Sequence, residues 1–192
     1  MLEEVLPFMS FVDQPIWRAL LKSGRFASRK HAGQFRDDGI TPYYTHCKSV
    51  RRILWNFGIR DVETLQIADV HDTVEDTDTT IREIERIFGE SFANSLCFLT
   101  NETKGNFWKR HEGLLEHGHK MPRKSRNVKL ADRLHNLRSC ETWDPWRRVR
   151  YAMASLELVG CLYPWPNREL ALAVRAEAYG ILKNQEIFAG NV

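Results

Sequence analysis

The stretch Asp61-Val-Glu-Thr-Leu-Gln-Ile-Ala-Asp-Val-His-Asp-Thr-Val-Glu-Asp-Thr-Asp-Thr-Thr80 decides how this chain is read. Its first half has a helical pattern. Asp61 can cap a helix, and Leu65, Ile67, Ala68 and Val70 supply its apolar positions. The helix leads into His71-Asp72-Thr73-Val74-Glu75-Asp76, a histidine and three carboxylates within six residues. On a continuous helix His71 and Glu75 share one face, and Asp72 and Asp76 another. Carboxylates this close repel one another, and a divalent cation is the usual remedy. The bland alternative is a solvated acidic helix end, and the flanking segments decide between the two.

Working outward, the pattern stays helical. Asp13 can cap a helix carrying Ile16, Trp17, Leu20, Leu21, Phe26 and Ala27 on one face. Gly33 to Pro42 reads as a polar loop, and a helix from about Tyr43 to Phe57 stops at Gly58. On the other side, Thr80-Ile-Arg-Glu is a capping box for a short helix ending at Gly89. A helix over about Ser91–Leu99, a polar stretch over Thr100–Asn106 and a weakly amphipathic helix over Phe107–Glu116 follow. Pro122 opens the helix that carries Val128, Leu130, Leu134 and Leu137. The last two helices, about Trp146–Cys161 and Arg168–Lys183, are separated by the breaker Tyr-Pro-Trp-Pro-Asn. With no strand-like alternation and no linker, the expectation is all-α: one domain over residues 1–192, a bundle of roughly eight to ten helices.

Composition narrows the function. At 192 residues the chain can bury a substantial core, and its 43% hydrophobic and 28% charged residues are ordinary for a globular protein. A net charge of +3 suits an anionic small molecule and falls short of the basic stripe of a dedicated nucleic-acid binder. Cys47, Cys97, Cys140 and Cys161 form no CxxC pair, which points to reduced thiols in a cytoplasmic protein. Residues 1–12 hold two glutamates and no basic residue, wrong for a signal peptide, and no apolar run approaches a membrane span.

Three local motifs can converge in such a bundle. One is His31-x-x-Gln34-x-Arg36 followed by Thr41-Pro42-Tyr43-x-x-His46, the second is His71–Asp76, and the third is Lys129-Leu-Ala-Asp132-Arg133-Leu-His135-Asn136-Leu-Arg138. In the third, Asp132 and Asn136 stand four apart and look into one cavity, away from the stripe of Leu130, Leu134 and Leu137. Together, Thr-Pro-Tyr-x-x-His, His-Asp-Thr-Val-Glu-Asp-Thr-Asp-Thr-Thr and Val-Lys-Leu-Ala-Asp-Arg-Leu-His-Asn-Leu-Arg resemble the hydrolase domain of the RelA/SpoT alarmone enzymes. The likeness runs from about Phe26 to Arg138 and more weakly to about residue 185. With no second domain following, the chain resembles the stand-alone small alarmone hydrolases.

By that resemblance His46, His71, Asp72 and Asp132 would hold a metal ion, Mn2+ or another first-row divalent ion. Glu75 and Asp76 would handle the attacking water. Arg36, Asn136 and Tyr151 would hold the nucleotide, and Lys104, Lys109, Lys129 and Arg138 are further candidates for the phosphates. The implied reaction removes the 3′-pyrophosphate of guanosine tetra- or pentaphosphate, giving GDP or GTP and pyrophosphate. Rival readings are a related nucleotide, the adenosine alarmone or the 2′-phosphate of NADPH, and a catalytically idle nucleotide-binding module.

Other features read more plainly. His31 and His135 are expected to support the site without ligating. His111, His117 and His119 are expected in a solvated loop. Lys120, Arg123, Lys124 and Arg126 form either a solvated face or a phosphate-steering patch. The six tryptophans are expected in the core. Three residues depart from the family pattern: Cys47 where proline is usual, Asp69 where leucine is common, and Asp37 with Asp38 where relatives often carry a basic residue. Asp69 must find a cationic partner or face solvent, and Asp37 and Asp38 would repel a polyphosphate.

Overall fold

The computed structural model describes residues 13–100 and 106–189, in which ten α-helices follow one another. They are α1 (Asp13–Lys30), α2 (Tyr44–Asn56), α3 (Val62–Val70), α4 (Thr73–Asp76), α5 (Ile81–Phe88), α6 (Glu90–Cys97), α7 (Phe107–Gly118), α8 (Arg123–Arg138), α9 (Pro145–Cys161) and α10 (Arg168–Ala189). The all-α expectation is met. An isolated antiparallel bridge, Phe35 with Pro42, interrupts it. Residues 1–12 and Lys104, on which two of the sequence expectations rest, lie outside the described residues.

At the centre stand α2, α3 and α8, each packed on the other two. Helix α3 is buried almost all round: Leu65, Ile67, Ala68 and Val70 are fully covered by α1, α2, α6 and α8. That explains why its short sequence is apolar without a clear polar face. Helices α9 and α10 close the far side of α8, α7 lies on α9, and α5 pairs with α6. Leu54, Leu65, Ile67, Leu130 and Leu134 are fully buried. Each such side chain contributes about 1.5–3 kcal/mol by leaving water. Among the described residues, no helix is long and apolar enough to cross a membrane.

The capping chemistry largely follows the sequence. Asp61 accepts from the Thr64 N–H at 3.0 Å, and Thr80 from the Glu83 N–H at 3.2 Å. The carboxylate of Glu83 pairs with Lys30 at 3.0 Å, so it ties α5 to α1. Helix α9 begins one residue earlier than its pattern suggests. Asp144 accepts from the Trp146 and Arg147 N–H groups, and Pro145 occupies the first turn.

Four expectations need correction. The tryptophans are mostly not core: Trp143 is buried, while Trp17, Trp55, Trp108 and Trp146 are exposed. The Trp55 ring carries the Arg60 guanidinium on its face, 3.9 Å from its centre. The three histidines around α7 do not share a loop, since His111 is buried against Glu157 at 2.7 Å and His117 bonds back to the Gly113 carbonyl. The basic run at the start of α8 is not simply a solvated face: Arg123 and Arg126 donate to the Pro166 and Pro164 carbonyls, and Lys124 pairs with Glu63. These cations tie the breaker loop and α3 to the start of α8.

The fourth correction matters most. The His71–Asp76 cluster is not one helix. Helix α3 ends at Val70, His71 and Asp72 form a turn, and the single turn α4 starts at Thr73. Adjacent residues on an unbroken helix point about 100° apart and cannot meet. The break lets His71 and Asp72 converge, with Nε2 and Oδ2 3.2 Å apart.

Candidate active site

Two cavities of different character stand out. An apolar one of about 690 Å³ lies along α1 and α2, lined by Ile16, Trp17, Leu20 and Trp55. The other, about 310 Å³, is smaller and polar, and it gathers the chemistry of the chain. Its walls come from the 31–43 loop (Arg36, Asp37, Tyr43), α4 (Glu75, Asp76), α7 (Phe107, Arg110, His111), α8 (Lys129, Asp132, Arg133, Asn136) and α9 (Arg147, Tyr151).

At its floor four side chains converge. The Nε2 atoms of His46 and His71 are 3.3 Å apart. Asp72 Oδ2 lies 3.4 Å from the first and 3.2 Å from the second. Asp132 Oδ1 lies 3.4 and 3.9 Å from them. Ligands at roughly 2.0–2.2 Å from one first-row ion sit roughly 3.0–3.5 Å from each other in four- to six-coordinate geometry. The observed separations match such a shell, with one wider edge.

Proton accounting points the same way. His71 Nδ1 lies 2.9 Å from the Ala68 carbonyl, an acceptor that places the ring's hydrogen on Nδ1 when it is neutral and leaves the Nε2 lone pair for the floor, with the Cys47 thiol beside the same ring. His46 Nδ1 faces His135 Nδ1 at 2.8 Å. Burial, with His46 and Arg36 nearby, pulls the His135 imidazole down to about 4, so it is neutral near pH 7. It can therefore accept from His46 Nδ1 and leave that Nε2 bare as well. Two such nitrogens and two carboxylate oxygens turned toward one another suit a divalent cation.

With only protons available, burial alone would favour neutral groups, but the pairing overrides it. Asp72 pushes the His71 imidazole well above its ordinary range. His71 holds Asp72 well below the usual carboxylate range, and Lys129 with the two histidines does the same for Asp132. Lys129 Nζ stands 3.4 Å from Asp132 Oδ2.

Above the floor, Tyr43 Oη lies 2.8 Å from Asp72 Oδ2 and 2.9 Å from Asp76 Oδ2. One phenolic hydrogen serves two carboxylates, and burial together with Asp72 pushes the Asp76 carboxyl up. Its neighbour Glu75 faces Arg110 at 3.5 Å. Arg36 donates to Asn136 Oδ1 at 3.0 Å, and Asn136 donates in turn to Asp132 Oδ1 at 2.7 Å and to Tyr151 Oη at 3.1 Å. His31 stacks on Tyr43 and bonds Gln34, and Gln34 donates to the Asp76 carbonyl, so both brace the site.

Of the residues singled out from sequence, Asp72 and Asp132 each approach the facing Nε2 atoms of His46 and His71. Glu75, Asp76, Arg36, Lys129, Asn136 and Tyr151 line the cleft above them. Lys109 does not. The cleft-facing row of α7 is Phe107, Arg110, His111 and Leu114, spaced three, four and seven apart, and Lys109 falls off that row. Arg138 points elsewhere, bonded to Glu177 at 2.7 Å. Arg110, Trp143 and Arg147 are cleft residues outside the three motifs, while Tyr43 and Arg133 stand within motifs that gave them no role of their own. A signal existed for some: Tyr43 is three residues before His46, and Arg147 four before Tyr151.

The departures from pattern find partners. Asp69 is fully buried and bonds Arg51 and Ser23, each at 2.7 Å. Burial still lifts its carboxyl to about 6. Asp38 is absorbed by its own loop. It accepts from the Ile40 and Thr41 N–H groups and the Thr41 hydroxyl, which hold it down at about 2. Only Asp37 faces the cleft, accepting from Trp143 Nε1 at 2.5 Å and Arg147 at 3.1 Å.

The HD-domain profile matches residues 24–104. Curated proteins called guanosine-3′,5′-bis(diphosphate) 3′-pyrophosphohydrolase MESH1 are similar over most of the chain. The Danio rerio protein is 41% identical over 128 residues, 66% of this chain and 71% of its own. That of Homo sapiens is 37% identical over 163 residues, 81% of this chain and 90% of its own. The bifunctional (p)ppGpp synthase/hydrolase SpoT of Escherichia coli K12 is 36% identical over 134 residues, 19% of that protein. A solved structure of a metazoan SpoT ortholog that hydrolyses ppGpp superposes with a TM-score of 0.75 at 27% identity, covering 87% of this chain and 95% of that one. The chain belongs to the RelA/SpoT-type HD-domain hydrolase family, in which MESH1 and SpoT stand.

Proposed function

We propose that this protein is a metal-dependent 3′-pyrophosphohydrolase of guanosine tetra- and pentaphosphate, releasing GDP or GTP and pyrophosphate. The observation that carries this reading is the approach of two carboxylates to two facing imidazole nitrogens under a cleft lined with cations. In our reading His46, His71, Asp72 and Asp132 hold the ion. Manganese is the metal we propose, since a mixed nitrogen and oxygen set suits it. Bound there, the ion would polarise a phosphate oxygen and lower the pKa of water.

The remaining chemistry falls to the chain. Glu75 and Asp76 orient the attacking water and take its proton. The raised carboxyl of Asp76 brings its basicity closer to neutral pH. As the water oxygen bonds to phosphorus, the bond from phosphorus to the ribose 3′-oxygen breaks, and that oxygen takes up a proton. The cleft places five cationic side chains, Arg36, Arg110, Lys129, Arg133 and Arg147, against five carboxylates, Asp37, Asp72, Glu75, Asp76 and Asp132. A divalent ion tips that balance to positive, which favours a polyphosphate.

The direct test incubates the full chain and manganese with guanosine tetraphosphate, its adenosine counterpart and NADPH. We expect GDP and pyrophosphate from the first as the fastest reaction. Faster release of phosphate from NADPH would replace the substrate. The Asp37–Arg147 pair is what favours that second reading, because it neutralises one cation a polyphosphate would use. An absence of turnover on all three would leave a nucleotide-binding module.

The loop supplies a sharper prediction. The Arg36 guanidinium lies 5.6 Å from the centre of the Tyr43 ring and bonds Asn136. Lysine offers neither the planar stack nor the fork, so Arg36→Lys is expected to lower kcat/KM by about tenfold, roughly 1.4 kcal/mol. Asp37→Asn frees Arg147 and removes a negative charge, and is expected to lower KM for the polyphosphate several-fold at low salt, less at high salt. Asp38→Asn should do nothing of the kind, because Asp38 is spent on its own loop. Equal salt-dependent gains from both variants would contradict this division.

A further inference from the structure

Each cation of the cleft has a polar partner within the protein except one. Arg36 donates to Asn136, Lys129 faces Asp132, Arg147 faces Asp37 and Arg110 faces Glu75. Arg133 is 6% exposed, and its Nε and Nη1 atoms are buried with no hydrogen-bond partner. No carboxylate lies within ion-pair distance of it among the described residues. Its guanidinium carbon sits 4.5 Å from the centre of the Tyr151 ring, a contact that fixes the group but satisfies none of its donors. The side chain nevertheless lines the cleft.

A buried guanidinium without an anion is costly, and a fold keeps one when an anion arrives to match it. We propose that Arg133 is a phosphate-binding residue of this cleft, its guanidinium donating to a phosphate oxygen of the substrate's pyrophosphate group. The inference rests on the polyphosphate reading of the site. Its position supports the role. Lys129, Asp132, Arg133 and Asn136 form one row of α8, so Arg133 reaches the cleft beside the residues that bound its metal-holding floor. Arginine suits the task, since its planar fork matches two phosphate oxygens and it stays charged when buried. Tyr151 then has two duties, accepting from Asn136 at its hydroxyl and carrying the Arg133 guanidinium on its face.

The consequence is a trade between stability and binding that a packing role would not produce. The full chain, Arg133→Met and Arg133→Lys are melted with manganese in excess, without and with inorganic pyrophosphate. Steady-state kinetics are measured on guanosine tetraphosphate. Without the anion, Arg133→Met is expected to melt a few degrees above the parent, because the uncompensated charge is gone. Its rise in Tm with pyrophosphate should shrink to less than half that of the parent, and its kcat/KM should fall at least tenfold. Arg133→Lys should keep part of both. If Arg133→Met melts below the parent and keeps the full pyrophosphate shift, Arg133 is a packing residue and the proposal falls. If the parent turns over guanosine tetraphosphate and Arg133→Met matches it within twofold, the proposal falls while the substrate reading stands. If the parent shows no turnover but its pyrophosphate shift is lost in Arg133→Met, the anion site stands and the substrate reading falls.

Discussion

Glu75→Gln is expected to lower kcat by roughly 10²–10⁴-fold while metal content stays that of the parent. The substitution keeps size and hydrogen-bonding reach but removes the basic oxygen, so water can be held but not deprotonated. The pair that Glu75 makes with Arg110, 3.5 Å long and partly exposed, should add little to any change in stability. Asp76→Asn is a useful contrast. Asp76 shares the Tyr43 hydroxyl with Asp72, so its loss should also disturb the orientation of Asp72, a ligand in the proposed metal site. Turnover and metal occupancy should therefore fall together in Asp76→Asn and separate in Glu75→Gln. Metal analysis of the purified variants beside single-turnover rates checks this. A Glu75→Gln protein that has lost its metal would show that Glu75 had been given the wrong task.

The contrast between these neighbours was only half legible in the sequence. The density of charge in His71–Asp76 announced a site, and the helical spacing of Asp132 and Asn136 predicted that they would share a cavity. What the pattern hid was the break after Val70. Val70, His71, Asp72, Thr73 and Val74 are all weak helix formers, but no glycine or proline marks the turn at His71 and Asp72. The break is set by tertiary convergence, which brings adjacent side chains to one point where an unbroken helix would separate them. Lys109 shows a different limit. On a weakly amphipathic helix, composition suggests that a cation faces the ligand without fixing which, and a shift of one residue turns Lys109 away and Arg110 inward. Asp37 and Asp38 look equivalent in sequence, yet loop geometry consumes one and leaves the other on Arg147 and Trp143. The partner of Asp69 could not be read either, because Arg51 and Ser23 come from two other helices. Periodicity reports what a residue's own helix does, whereas these outcomes depend on neighbours far along the chain.

Removing the metal should have the largest effect of all. Chelation is expected to abolish turnover, and His71→Ala should do so irreversibly, with manganese restoring the chelated parent alone. The accompanying change in stability should depend on pH in a direction fixed by the floor of the cleft. Without an ion, a proton on His71 is what keeps Asp72 from facing a bare nitrogen, and the imidazole is held well above its ordinary value of 6.5. A group raised on folding stabilises the folded state fully below its unfolded pKa, and that contribution is lost as pH rises through the folded pKa. Asp72 and Asp132, both held well below 3.8, act oppositely: their contribution is present above that value and lost as pH falls through their folded pKa. The metal-free protein should therefore be most stable in mildly acidic solution and weaken as the medium becomes alkaline. The metal-loaded protein needs no such proton, so the gap between the two should widen as pH rises from about 6 to 8.5. At a metal concentration a hundred times its Kd the stabilisation is about 2.7 kcal/mol, or roughly 5–10 °C in Tm for a chain of this size. Paired melts with manganese and with chelator across that pH range check the sign. A gap that narrows with pH would mean that protons and metal do not compete for His46, His71, Asp72 and Asp132, and that the ion sits elsewhere.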